Sequence, residues 1–133
     1  MAKDIPGGCQ CGNIRYRLEG GPFEVVACHC LDCQRQSGSA FGMSLIVKPE
    51  AFVLISGKLK NFIVTTESGR VKTCSFCPVC GSRIHHRSNR GMSVKAGTLD
   101  DTSGLKPTAH YWTKRKQPWV VIPEGVRQVK DDG

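Results

Sequence analysis

Cys28-His29-Cys30-Leu31-Asp32-Cys33-Gln34-Arg35-Gln36-Ser37-Gly38 places three thiols and an imidazole within six residues. Three soft ligands at that spacing suffice to hold one zinc ion and leave a fourth tetrahedral position for water or substrate. The other five cysteines fall into two groups, Cys9-x-Cys11 and Cys74-x-x-Cys77-x-x-Cys80. Seven or eight thiols are therefore available to two metals, and we expect two zinc ions.

Working outward, 133 residues suit a single domain spanning 1–133 with one core. No stretch approaches the roughly 18 to 20 consecutive apolar residues of a membrane span. The start, Met1-Ala2-Lys3-Asp4-Ile5-Pro6, lacks the apolar run of a secretory signal, so a cytoplasmic location is expected. In that reducing compartment, clustered cysteines read as metal ligands or catalytic groups before disulfides, even though the cysteine count is even. The formal net charge of +8 raises a nucleic-acid partner. Seven thiolates on two zinc ions would lower it to about +5. The remaining excess is spread out, Lys114-Arg115-Lys116 is the one tight run, and no aromatics interleave with a basic face. A solvated basic surface is the simpler reading.

Ile14, Tyr16 and Leu18 alternate with Arg15 and Arg17, the pattern of a half-buried strand. Tetrahedral thiolates around zinc sit roughly 3.8 Å apart, about half the spacing of alternate residues in a straight strand. The chain must therefore bend at Gln10, between Cys9 and Cys11, where Gly7, Gly8 and Gly12 allow it. Gly20-Gly21-Pro22 marks a turn before a strand over Phe23 to Ala27, and Leu31 to Gln36 suits one or two helical turns ended by Gly38. Ala40 to Val47 is the longest apolar strand candidate and is expected at the centre. Phe52 to Ile55 and Phe62 to Thr65 flank Ser56-Gly57-Lys58 as a hairpin. Val71 to Phe76 leads into the tight Cys77-Pro78-Val79-Cys80-Gly81 loop. Ser82 to His86, Met92 to Ala96, Ala109 to Thr113 and Gln117 to Ile122 complete the strands before a polar tail. The sum is a mainly β domain in which a structural metal supplements a modest core.

These pieces resemble the glutathione-dependent formaldehyde-activating enzyme family nearly end to end. The resemblance rests on Gly8-Cys9-Gln10-Cys11-Gly12, on Cys28-His29-Cys30 through Cys33-Gln34 to Ser37-Gly38-Ser39-Ala40-Phe41, and on Phe76-Cys77-Pro78-Val79-Cys80-Gly81. Gly97-Thr98-Leu99-Asp100, His110-Tyr111-Trp112 and Lys116-Gln117-Pro118-Trp119 extend it. It implies an Mss4-like fold of short, strongly bent antiparallel sheets with one or two helical turns, stabilised by zinc. It also implies a closed structural site of Cys9, Cys11, Cys77 and Cys80, and a second, open zinc site of Cys28, Cys30 and Cys33 associated with activity. Spacing agrees, since four thiolates saturate tetrahedral zinc and three leave an exchangeable position. A three-ligand metal can also be lost on isolation. The implied reaction is reversible addition of glutathione to formaldehyde, giving S-hydroxymethylglutathione, a carbon–sulfur lyase-type chemistry. The implied partner is a small thiol or thiol adduct, and self-association remains open. The chain is shorter than the fully characterised type, so segments that shape a glutathione pocket there are in question.

Cys74 departs from the family pattern, as a free buried thiol, a redox partner or a fourth ligand to the central site. His29 reads as an orienting group before a ligand. Asp32 and Gln34 read as capping or solvent contacts, and Arg35 as a surface charge or a partner for a substrate carboxylate. Ser37 and Ser39 are potential hydrogen-bond donors near the site. Of His85 and His86 only one should face inward. His110 reads as a buried hydrogen-bonded residue before a cavity wall, and Trp119 as a core anchor. The rival to an enzyme is a non-catalytic zinc-binding module that contacts nucleic acid or protein through the basic surface.

Overall fold

A computed structural model describes residues 4–132. Of the Met1–Pro6 stretch read as lacking a secretory signal, residues 1–3 lie outside the described residues. The chain forms β1 (Ile5–Gly8), β2 (Arg15–Leu18), β3 (Glu24–Cys28), α1 (Leu31–Ser37), β4 (Gly42–Val47), β5 (Phe52–Ser56) and β6 (Lys60–Thr65). β7 (Val71–Phe76), β8 (Arg83–Ser88), β9 (Gly91–Lys95), β10 (Ala109–Tyr111) and β11 (Arg127–Gln128) follow. A three-stranded sheet runs β1-β2-β5, and an eight-stranded one β11-β10-β3-β4-β9-β8-β7-β6. Among the described residues the molecule is mainly β with one short α-helix, as its composition and periodicity indicate. The expectation of antiparallel pairing holds for most ladders, but β10 runs parallel to both β3 and β11.

The core lies where the alternation in β2 puts it. Ile14, Tyr16 and Leu18 are fully buried and meet Leu45 and Val47 of β4, Ile84 of β8, and Met92 and Val94 of β9. Burying each large aliphatic side chain of this kind contributes about 1.5–3 kcal/mol. β4 is central, as its apolar run predicts, with β3 on one side and β9 on the other.

Three expectations are corrected. Phe52 to Ile55 and Phe62 to Thr65 do not form a hairpin. β5 pairs with β2 in the small sheet, whereas β6 pairs with β7 at the edge of the large one. Both runs carry β-formers around a glycine turn, but Phe52 has a better partner in the Tyr16 ring, stacked with centroids 5.0 Å apart. Gln117 to Ile122 is irregular, and Trp119 is 70% exposed and no core anchor. Pro118 and Pro123 deny that segment ladder donors. The supposed polar tail instead supplies β11 and closes over β10, with Val129 N–H donating to His110 C=O at 2.8 Å.

β1 was hidden in sequence by its Pro and Gly content. Pro6 is tolerated because β1 is an edge strand of the small sheet. Gly7 is required because the Tyr16 ring covers it. An added Cβ would sit 2.5 Å from Tyr16 Cζ and 2.7 Å from the Thr98 carbonyl oxygen.

Candidate metal centres and the cavities around them

Two loops bring the first cluster together. The chain turns at Cys9-Gln10-Cys11, where Gly12 N–H donates to Cys9 C=O at 3.2 Å and Gly12 takes φ 84°. This is the bend expected at Gln10. The β7–β8 connection closes with Gly81 at φ 81° and its N–H on Cys77 C=O at 2.9 Å. The sulfurs of Cys9 and Cys11 lie 3.6 Å apart and those of Cys11 and Cys77 3.8 Å. All four ligand atoms, Cys80 included, fall within 4.8 Å of one another. That spacing matches the roughly 3.8 Å expected around tetrahedral zinc.

Backbone N–H groups point at the sulfurs of Cys9 and Cys77. Ile14 N–H donates to Cys9 Sγ at 3.1 Å, and the N–H groups of Val79 and Cys80 reach Cys77 Sγ at 3.4 and 3.5 Å. Burial alone would raise the Cys9 thiol, but the Ile14 N–H and the Cys11 and Cys77 thiols together hold it below its ordinary value. Cys80 is drawn down to about 5 by the Ser82 hydroxyl and backbone, while Cys11, despite the Asn13 N–H, is pushed up to about 11 by burial and its sulfur neighbours. An all-thiolate tetrahedral donor set suits zinc.

Cys28 ends β3, Cys30 caps α1 and Cys33 lies on its first turn. The N-cap is the thiol itself, Cys30 Sγ accepting from Cys33 N–H at 3.2 Å, a role expected of Asp32 from composition. Gly38 closes the helix in the left-handed conformation at φ 63°. The three sulfurs lie within 4.8 Å of one another. Hydrogen bonds from Cys28 and Cys33 draw Cys30 down to about 2. Cys28 is raised by the Cys30 sulfur. Cys33 is helped by Cys28 but raised to about 11 by Cys30 and burial. Cys74 is buried on β7 and belongs to neither cluster, which places it with the free buried thiols.

His29 is fully buried and is not one of the clustered ligands. Its Nε2 lies 2.8 Å from His110 Nδ1, and Phe41 packs beside it at 5.0 Å. Burial holds His29 near 4, and burial lowers His110 as well. His110 is likewise buried and hydrogen-bonded, as expected. His85 and His86 are both buried, against the expectation for alternating residues, because β8 is covered on both faces. Neither joins a thiol cluster.

Sequence reasoning missed three contributors. Gln34 is a clamp: its Nε2 donates to the carbonyls of His29 at 2.9 Å and Arg115 at 3.0 Å, and its Oε1 accepts from Gln117 at 3.1 Å. Trp112, at φ 58°, packs against Cys30 and Cys33 and donates its Nε1–H to Asp132 at 2.6 Å. Lys95, at the end of β9, contacts His86 Nδ1 at 3.0 Å. Only the left-handed turn at Trp112 turns its ring onto the thiols, and no local pattern signals it.

Cavities reach the trio from several sides. One of about 470 Å³ is bounded by Cys33, Gln36, Phe41, Arg83, Lys95 and Thr98, among others. A second, about 270 Å³, has both Cys28 and Cys33 in its wall, and a third, about 230 Å³, has Cys30. Arg35 faces a separate shallow surface recess, while Ser37 and Ser39 border the 470 Å³ cavity.

Among known proteins, residues 4–115 match the family described as glutathione-dependent formaldehyde-activating enzyme. A crystal structure of a Rhodobacter sphaeroides protein is similar at TM-score 0.59 and 21% identity, covering 77% of this chain and 92% of that one. That likeness concerns the fold. No curated protein matches the chain. Among the described residues, no helix is long and apolar enough to cross a membrane.

Proposed function

The chain belongs to the glutathione-dependent formaldehyde-activating enzyme family, and from that premise we propose that it catalyses reversible addition of a small thiol to an aldehyde. In this reading residues 1–133 act as one cytoplasmic zinc-binding domain, a carbon–sulfur lyase-like enzyme. Its reaction forms or breaks S-hydroxymethylglutathione or a close analogue. The observation that carries the reading is the contrast between the clusters. Four thiols complete a tetrahedral set beneath the Cys77–Gly81 loop, whereas three thiols, one short of that set, adjoin cavities.

Cys9, Cys11, Cys77 and Cys80 would hold the structural zinc, and Cys28, Cys30 and Cys33 the second. Bound to the trio, zinc would supply Lewis acidity that favours a thiolate or a polarised aldehyde oxygen at neutral pH. The chain's own residues do the rest. The Cys33 N–H and the two neighbouring thiols keep Cys30 ionised and ready to ligate. His29, locked to His110 and packed on Phe41, fixes the segment between Cys28 and Cys30 and keeps water from its rear. Trp112 covers Cys30 and Cys33, leaving approach through the cavities. The adjoining cavities favour an enzyme over the rival reading of a non-catalytic zinc module, which needs no enclosed space beside its metal.

The test is the rate of interconversion between formaldehyde, glutathione and their adduct, followed by exchange NMR. Acceleration by the zinc-loaded protein, lost in Cys30→Ser with the fold intact, is expected. An uncatalysed rate with wild type, or an unchanged rate with the variant, would reject the reaction.

A further inference from the structure

The segment from Val129 to Asp132 forms a strap across the Trp112 turn. Trp112 N–H donates to Asp131 C=O at 3.2 Å, and the N–H groups of Thr113 and Lys114 reach the carbonyls of Val129 and Lys130 at 3.1 and 3.4 Å. Asp132 then takes the ring itself. Its Oδ1 accepts the indole Nε1–H at 2.6 Å, its Oδ2 lies 3.4 Å from Arg70 Nη2, and its C=O accepts from Arg90 Nη1 at 3.1 Å. Those two arginines anchor Asp132 to the β6–β7 and β8–β9 turns. The strap lies beyond residues 4–115, the stretch that matches the family, so the family resemblance does not account for it.

The same pair divides the space around the thiols. A surface cavity of about 850 Å³ has Arg70, Arg90 and Lys114 in its wall and no cysteine. Of its wall residues, Trp112 and Asp132 alone also border both the 270 Å³ cavity at Cys28 and Cys33 and the 230 Å³ cavity at Cys30. The indole and its carboxylate therefore partition this outer space from the trio. Trp112 is buried against Cys30 and Cys33, and at φ 58° it is the one non-glycine at positive φ among the described residues. A bulky residue keeps that conformation only where its surroundings hold it. Its backbone and its ring are held separately, since the N–H groups of 112–114 go to carbonyls of 129–131 and the indole's single donor goes to the Asp132 side chain. Losing the side-chain bond would free the ring and leave the backbone in place.

We propose that Trp112 is a gate and Asp132 its latch: with the indole bonded to the carboxylate the trio is closed to the 850 Å³ cavity, and release of that bond lets the ring swing outward and joins the outer and inner spaces. Asp132 acts through Trp112 and is a positioning residue. The gate rests on the proposed thiol chemistry for its use, closing to keep water out during addition and opening to exchange reactant and product. Its own claim concerns access alone.

The experiment is labelling of the zinc-loaded protein with N-ethylmaleimide, a neutral thiol reagent, with the rate at each cysteine followed by mass spectrometry. Asp132→Ala is expected to raise the labelling of Cys28, Cys30 and Cys33 roughly tenfold or more, as loss of a hydrogen bond to a charged group allows. Trp112→Phe, which keeps a ring without the donor, should raise it similarly, and the double variant no further. Asp132→Asn retains an oxygen that can accept the indole proton and should stay near the wild-type rate. Cys74 is buried and belongs to neither cluster, so its labelling reports loosening of the fold and should not change. Equal trio rates in wild type and Asp132→Ala, Asn as reactive as Ala, additive single variants, or Cys74 rising in step with the trio would overturn the gate. Formaldehyde–glutathione turnover of the same wild-type sample separates the two claims. Turnover with unchanged trio labelling removes the gate alone, and latch-dependent labelling without turnover keeps the gate and removes the reaction.

Discussion

His85 lies edge-on to Phe52 with ring centroids 4.7 Å apart, and its Nδ1 is buried with no hydrogen-bond partner. Burial, helped by Arg87 and Lys95, holds it near 4 in the folded chain, against an ordinary value of 6.5. Between those values the unfolded chain binds the proton and the folded chain does not. Stability therefore rises with pH across that window and is lost as pH falls below 6.5, by up to about 1.4 kcal/mol per pH unit. His85→Phe keeps the ring contact and removes the titration. Denaturant melts at pH 7 and pH 5 should show a smaller acid loss in the variant than in wild type, with little change at pH 7. Equal acid losses would mean that His85 is not held neutral. Gln34 is the other side chain with a local consequence, since it joins α1 to the 113–117 turn through both ends of its amide. Gln34→Ala should cost about 1–3 kcal/mol in a denaturant melt, and a loss below about 0.5 kcal/mol would remove it as a clamp.

Among the elements, β1 shows how tertiary contacts override local propensity. Ile5-Pro6-Gly7-Gly8 reads as a turn, yet it pairs with β2 because Gly7 alone lets the Tyr16 ring lie against the backbone, its hydroxyl 2.6 Å from Thr98 Oγ1. Gly7→Ala should destabilise by about 1–3 kcal/mol through overpacking, checked by thermal melting. An unchanged melting temperature would show that the ring is free to shift. Elements with a strong internal period were legible in sequence. β2 declares its buried face by alternation, β4 its central place by continuous apolar character, and α1 its end by Gly38. The β5–β6 hairpin reading failed because both strands are individually sound and only the choice of partner was wrong, which depends on Tyr16 and on β7, distant in sequence. The strand expected around Trp119 failed for a local reason, the prolines on either side of it, and β11 was passed over because a two-residue strand carries no period at all.

For the molecule as a whole, the four-thiol cluster ties the Cys9–Cys11 turn, which leads into β2 of the small sheet, to the β7–β8 loop of the large one. Metal bound there contributes to folding directly. Chelation, or Cys11→Ser, should therefore lower the melting temperature substantially, whereas Cys30→Ser should leave most of it, because the trio lies within one short segment, the end of β3 and the N-cap and first turn of α1. Similar losses from the two substitutions would contradict separate roles. The division of cysteines was legible because thiols betray themselves by spacing. The cavity walls were not, since Trp112, Lys95 and Arg83 are brought to the trio by the left-handed turn at Trp112 and by strands far apart in the chain. The most direct measurement of the central claim is zinc per chain, by native mass spectrometry, in wild type and Cys30→Ser after zinc loading. Two zinc ions falling to one in a folded variant is the expected result. Two ions retained, or both lost together, would contradict two independent sites of which only one is structural.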